Sequence, residues 1–170
     1  MYSKTFRLFS IVFSLIAGIW LLAIHNKLGY LFILWGLFGI WQHFRSGTVK
    51  LAFQSLQRGD LEMARKLFHQ IASPEKLHPV NRTYYHWICG ALAASENNLQ
   101  KAKEEYLLAY EGELRTENDM SVLACILAQF EIREGNMDKA KEFIEKAASL
   151  NHEPMVKEKI EELKRKIEKY

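Results

Sequence analysis

The sequence predicts an all-α protein: a two-helix transmembrane hairpin at the amino end, then an α-solenoid of three helix pairs and a carboxy-terminal capping helix. Three observations predict it. Two apolar runs open the chain almost without charge. From Gly59 onward a pattern of small, apolar and polar residues recurs every 38 positions. No stretch alternates with the two-residue period of a half-buried strand.

The hairpin comes first. Leu8–Ile24 is 17 residues without a charge, and Leu28–Trp41 is 14 more, with only His25, Asn26 and Lys27 between them. At about 1.5 Å per residue, a helix from Phe6 to Ile24 spans roughly 28 Å, close to the ~30 Å hydrocarbon core of a bilayer. The second run reaches across when extended to Phe44. The expected helices are about 6–24 and 28–44. A cleaved signal peptide fits less well, because the first run is long, no small-x-small site follows it, and a second apolar run comes at once. Ser10, Ser14 and Gly18 recur every four residues and form one small-residue stripe, the kind of surface that lets membrane helices approach closely. Gly36 and Gly39 offer a matching surface on the second helix. Rings at Trp20, Tyr30, Trp35 and Trp41 include candidates for interface anchors.

Charge divides the chain in the same way. The 170 residues carry 23 Lys and Arg against 20 Asp and Glu, a formal +3. All 20 acids and 20 of the bases follow Phe44, so residues 45–170 are neutral and the first 44 carry the whole excess. A nucleic-acid binder keeps its positive charge on its folded part, and no nucleic-acid partner is expected here. Lys4, Arg7, Arg45 and Lys50 flank the hairpin and Lys27 alone marks its turn. The positive-inside rule then puts both termini in the cytoplasm, with the lipid bilayer as a partner and Arg45, Lys50 and Arg58 near anionic headgroups. The compartment expected is a bacterial inner membrane. In that orientation the Asn81-Arg82-Thr83 sequon is an ordinary loop, with no access to glycosylation.

The rest of the chain repeats. GDLEMARKLFHQIAS from Gly59, NNLQKAKEEYLLAYE from Asn97 and GNMDKAKEFIEKAAS from Gly135 align at an offset of 38. The columns are Gly59/Asn97/Gly135, Leu61/Leu99/Met137, Ala64/Ala102/Ala140, Phe68/Tyr106/Ile144 and Ile71/Ala109/Ala147. Their spacing of three and four places each set on one helix face. Gly or Asn ahead of each helix suits a turn that visits positive φ. A preceding helix is expected at about 48–58, 81–95 and 118–134, which makes three units at about 45–79, 80–116 and 117–152. Three such units bury a core that none buries alone. Residues 153–170 place Val156, Ile160, Leu163 and Ile167 on one stripe and read as an amphipathic cap.

These residues resemble the tetratricopeptide repeat (TPR). The Gly/Asn–x–Leu–x–x–Ala–x–x–x–Phe/Tyr/Ile–x–x–Ala pattern carries the resemblance, with Ala52, Gly90 and Ala128 at the small position of the first helices. It covers about residues 45–152. The period is 38 rather than 34, an excess that a longer loop or one added helical turn absorbs. The resemblance implies a right-handed superhelix whose first helices line a concave groove. It assigns Phe53 and Leu56, then Tyr84, Trp87 and Ala91, then Cys125, Gln129 and Arg133 to that groove. The groove is apolar and aromatic, so an apolar peptide or amphipathic helix is the protein partner expected.

Enzyme chemistry is not expected. No Gly-rich phosphate loop follows a strand, and no nucleophile has an oriented base. His69, His78, His86 and His152 lack metal-ligand spacing. Cys89 and Cys125 lie on apolar faces and read as reduced structural residues. No catalytic residue, metal or cofactor is assigned. The reading is a membrane-anchored adaptor, with an accessory or assembly subunit of a larger membrane complex as the alternative.

Overall fold

In the computed structural model the backbone is described for residues 4–24, 27–71 and 73–168, and side chains for 12–24, 27–37, 48–71 and 73–168. Every regular element among them is helical. The chain divides into two compact units, Met1–Gly47 and Thr48–Tyr170.

In the first unit α1 covers Lys4–Ala23, and α2 begins at Leu28. α2 runs on to Gln57, through the stretch that the sequence reading breaks between 44 and 48. No proline lies there, and a lone Gly such as Gly47 costs a helix only about 1 kcal/mol. Among the described residues no helix is long and apolar enough to cross a membrane. Both apolar runs of the sequence include residues whose side chains are not described, 8–11 and 38–41.

The second unit holds the last turns of α2 and six further helices. They are α3 (Leu61–His69), α4 (Pro79–Ser95), α5 (Leu99–Tyr110), α6 (Glu117–Glu134), α7 (Met137–Ala148) and α8 (Pro154–Ile167), with a short 3-10 turn at Pro74–Lys76. Pro79 and Pro154 open α4 and α8, where the missing N–H costs nothing. α4 and α6 are 17 and 18 residues long, while α5 and α7 are 12 each. Much of the 38-residue period therefore sits in the first helix of each pair.

The turn column behaves as its residue types demand. Gly59, Asn97 and Gly135 have φ of 78°, 60° and 81°, and no other described residue has positive φ. Each ends its helix in the same way. The N–H of Asn97 bonds to the Ala94 carbonyl and that of Asn98 to Ala93; Gly135 and Asn136 repeat this with Ile132 and Glu131. These two bonds satisfy carbonyls that a helix end otherwise leaves open. In the first two turns the side chain of the following residue then caps the next helix, whereas Asn136 donates to Glu131 instead. Asp60 Oδ1 accepts from the Met63 N–H and Asn98 Oδ1 from the Lys101 N–H. One left-handed residue thus reverses the chain within two positions.

Ala64, Ala102 and Ala140 are fully buried, as are Ala52 and Ala128. Gly90 is buried in the same column, and a Cβ there would lie 3.0 Å from the Tyr106 ring. Small residues at these crossings let second helices lie close on first helices. Tyr106 and Ile144 fill the space beyond them. Leu61 is exposed, and Leu99 and Met137 only half-buried, so the first apolar column is the shoulder of the face and not its centre. The sequon is not a loop. Asn81 lies in the first turn of α4, 7% exposed, and its Oδ1 accepts from Arg115 Nη2 at 3.0 Å.

Candidate partner-binding groove and hairpin crossing

α8 covers α6 and α7 through Val156, Ile160 and Leu163, which pack on Ala124, Cys125, Ala128, Ile144 and Ala147. The small side chains of α6 let α8 come close, but their stripe is wider than α8 covers. Val122, Cys125, Ile126 and Gln129 follow one another at helical spacing on α6. With Met155, Val156, Glu158, Lys159 and Glu162 of α8 they line an open groove of about 400 Å3. Its floor is apolar and its α8 wall is charged. Met155 stands at the lip, 80% exposed. Lys159 Nζ pairs with Glu162 at 2.7 Å and Lys166 with the same carboxylate at 2.6 Å. Hydrogen bonds from these two lysines hold the Glu162 carboxyl down at about 2. Burial pushes the Cys125 thiol up to about 11, so the floor of the groove carries no reactive thiolate.

The expected groove residues separate into two groups. Gln129 and Arg133 are exposed, and Leu56 and Ala91 are half-buried. Phe53, Tyr84, Trp87 and Cys125 are buried, Tyr84 and Trp87 at 1% and 6% exposure. The first three are core and not groove wall. The Phe53 ring meets Tyr84 edge-on at 4.7 Å and Trp87 at 5.0 Å, and Tyr84 stacks on Trp87 at 6.1 Å. Three large rings fill the space between neighbouring first helices, as aromatic packing favours. Tyr84 is tied further. Its hydroxyl donates to Asp119 and accepts from the Arg115 N–H at 3.1 Å, and the Arg115 guanidinium lies 4.5 Å over the ring. Burial, helped by Asp119, pushes the phenol up to about 12. Only Cys125 and Gln129 of the expected set line the α6–α8 groove. The α8 residues are absent from that set because a stripe that caps a repeat conceals that the same helix also forms a wall.

Other polar clusters are ties between helices. His86 Nδ1 lies 2.8 Å from Glu105 Oε2, linking α4 to α5. Cys89 beside them is half-buried, and burial, then Glu105, push its thiol up to about 11. Among the described residues no group of three His, Cys, Asp or Glu could hold a metal ion.

In the first unit the crossing of α1 and α2 is tight. Ser14 Oγ donates to the Phe32 carbonyl at 2.7 Å. A Cβ on Gly18 would lie 2.8 Å from the Ile33 side chain, and one on Gly29 would lie 2.6 Å from the Gly18 carbonyl. The partner of Gly18 is therefore Gly29, a residue of the expected second helix to which the sequence assigns no packing role. Gly29 and Gly36 are seven residues apart, which puts them on one helix face, and both are buried. Ser10 and Gly39 lie outside the residues whose side chains are described. Outside the crossing, large apolar side chains face outward. Val12, Ile16, Ile19, Trp20, Leu34 and Trp35 are each more than half exposed. Phe13, Ser14, Leu31, Phe32 and Trp35 line a second groove, of about 390 Å3. No family model, curated protein or solved structure matches this chain.

Proposed function

We propose that the chain is a membrane-anchored adaptor. Its first unit is a transmembrane hairpin, and its second a right-handed TPR-like solenoid that holds an apolar or amphipathic helix of a protein partner. The observation that carries the anchoring is the inside-out character of the first unit. Its small residues Ser14, Gly18 and Gly29 lie within the crossing, while Ile16, Ile19, Trp20 and Leu34 face outward. In water such a shell is unfavourable by roughly 25 cal/mol per Å2 of apolar surface; in hydrocarbon it carries no penalty, and close packing of small residues holds the helices together.

The α6–α8 groove supports the adaptor role. An apolar floor, an adaptable Met at the lip and a charged wall suit a helix laid along its apolar face. No catalytic step is proposed. Affinity capture from mild detergent tests the reading, with a hairpin-deleted chain as the control. The expected outcome is a partner retained by the wild-type protein and lost from Met155→Glu, a change at an exposed site that leaves helix content untouched. Equal capture by both proteins rules the groove out.

The outward groove beside Trp35 favours a second reading, that of a subunit whose hairpin packs against other membrane helices. Photocrosslinking from position 35 separates the two: lipid adducts mark a simple anchor, protein adducts a packed subunit.

A further inference from the structure

The face of the hairpin that bears Trp35 offers more than a surface for lipid. The groove between Phe13 and Ser14 of α1 and Leu31, Phe32 and Trp35 of α2 measures about 390 Å3. That falls within the range of sites that enclose small-molecule-sized groups, about 300–1,000 Å3, and an indole ring is smaller than such a group. Trp35 stands beside it, 71% exposed. About 10 Å of helix separates Trp35 from Leu28. On the membrane-anchored reading, on which this inference rests, the ring then lies in hydrocarbon and not in the headgroup region where Trp finds acceptors. Among the described residues its indole N–H meets none. An N–H unpaired in hydrocarbon is costly.

A lipid acyl chain fills a groove but accepts no hydrogen bond. Ser14 can accept one. Its hydroxyl gives its only proton to the Phe32 carbonyl, which leaves oxygen lone pairs free, and it lines the groove. One face therefore holds a donor on a projecting ring that has no partner among the described residues, a recess that takes such a ring, and an acceptor within the recess. A surface that carries both halves of a contact is matched by its own copy about a two-fold axis. We propose that two copies of this chain pair in the bilayer through this face, the Trp35 ring of each entering the groove of the other and donating its indole N–H to Ser14 Oγ.

The test uses the full-length protein in vesicles of phosphatidylcholine and phosphatidylglycerol, with Leu31→Cys at the groove lip. Ile19→Cys, at an exposed site outside the groove, is the control, and the wild type sets the background from Cys89 and Cys125. Flotation of the vesicles is scored first, then disulfide dimer formed with copper phenanthroline. The expected result is co-flotation, with dimer from Leu31→Cys well above Ile19→Cys and wild type. Adding Trp35→Phe, which keeps a ring but removes the donor, lowers the dimer about threefold, the effect of one average interhelical hydrogen bond. A chain that floats but dimerises no better from Leu31→Cys than from Ile19→Cys overturns the pairing and leaves the anchor standing. Dimer unchanged by Trp35→Phe overturns the Trp35–Ser14 contact. A chain that does not float takes both readings down together.

Discussion

Glu131 is 3% exposed and holds two helix pairs together. Lys103 Nζ of α5 reaches its Oε1 at 2.7 Å, and Asn136 Nδ2 donates to its Oε2 at 2.8 Å. Lys103 also pairs with Glu134 at 2.7 Å. Burial works against the charged carboxylate, yet the hydrogen bonds from Lys103 and Asn136 outweigh it and hold the carboxyl below its ordinary value. Burial likewise works against the Lys103 ammonium, and its two carboxylate partners raise it regardless. The Glu131 contribution is therefore present above about pH 4.5 and is lost as pH falls through its lowered folded value; the Lys103 contribution is present up to about pH 10.5 and is lost as pH rises through its raised one. Glu131→Gln keeps the shape and removes the charge. We expect a loss of about 1–3 kcal/mol at pH 7, since Lys103 keeps Glu134 as a partner, and a shallower fall in stability below pH 4.5. Urea unfolding at pH 7 and pH 3.5 measures both; a variant as acid-sensitive as the wild type would refute the assignment. Trp87 is a second single-residue test. Its ring packs against Phe53 and Tyr84, so Trp87→Ala is expected to cost about 3–5 kcal/mol as a cavity in the core. Loss of partner capture with full stability would return Trp87 to a groove.

At the scale of elements, the reversal between paired helices depends on one backbone conformation. Only Gly, and to a lesser degree Asn, enters the left-handed region cheaply. Gly135→Ala is expected to cost about 1–2 kcal/mol, Gly135→Asn less, and Asn97→Gly close to nothing. Thermal unfolding of the three variants gives the order, and equal losses for Ala and Asn would contradict it. This requirement is also why the helix pairs were legible in sequence. A positive-φ position, a cap and an Ala crossing each restrict residue type sharply, so Gly59, Asn97 and Gly135 stand out in one chain without an alignment. The groove had no such restriction. An aromatic residue on a first helix satisfies the core and an open wall equally, and one residue of register turns a side chain by about 100°. Tyr84 and Trp87 therefore read as wall and pack as core. Met155 gave no signal because a lone exposed apolar residue is ordinary; only its position across from Val122 and Gln129 gives it meaning. In the hairpin, the stripe of Ser14 and Gly18 was legible and its partner Gly29 was not, because a Gly beside a turn has a second explanation in the turn itself.

For the whole molecule, charge distribution and hydropathy yield one further prediction that separates two modes of attachment. The first 44 residues hold the whole +3 and the remaining 126 hold none, so the repeats have no net attraction to an anionic surface. A protein held by Lys and Arg against headgroups leaves the membrane at high salt, because exposed charges separated by more than about 3 Å are screened at 1 M. A protein held by an apolar hairpin does not. The full-length chain is expected to sediment with membranes in 1 M KCl and after alkaline carbonate alike, while a chain that lacks the hairpin stays in the supernatant at every ionic strength. Release of the full-length chain by KCl alone would make the attachment electrostatic and remove the case for a spanning hairpin. Orientation needs a separate reporter, and the natural sequon is unfit for it. Asn81 is buried and bonded to Arg115 in the first turn of α4, so a glycan there would disrupt the fold that a reporter has to leave intact. Proteolysis in sealed vesicles answers instead. Lys76 is exposed in the connection between α3 and α4, and trypsin is expected to cut there in inverted vesicles and to leave right-side-out vesicles intact; the reverse pattern would place the repeats outside.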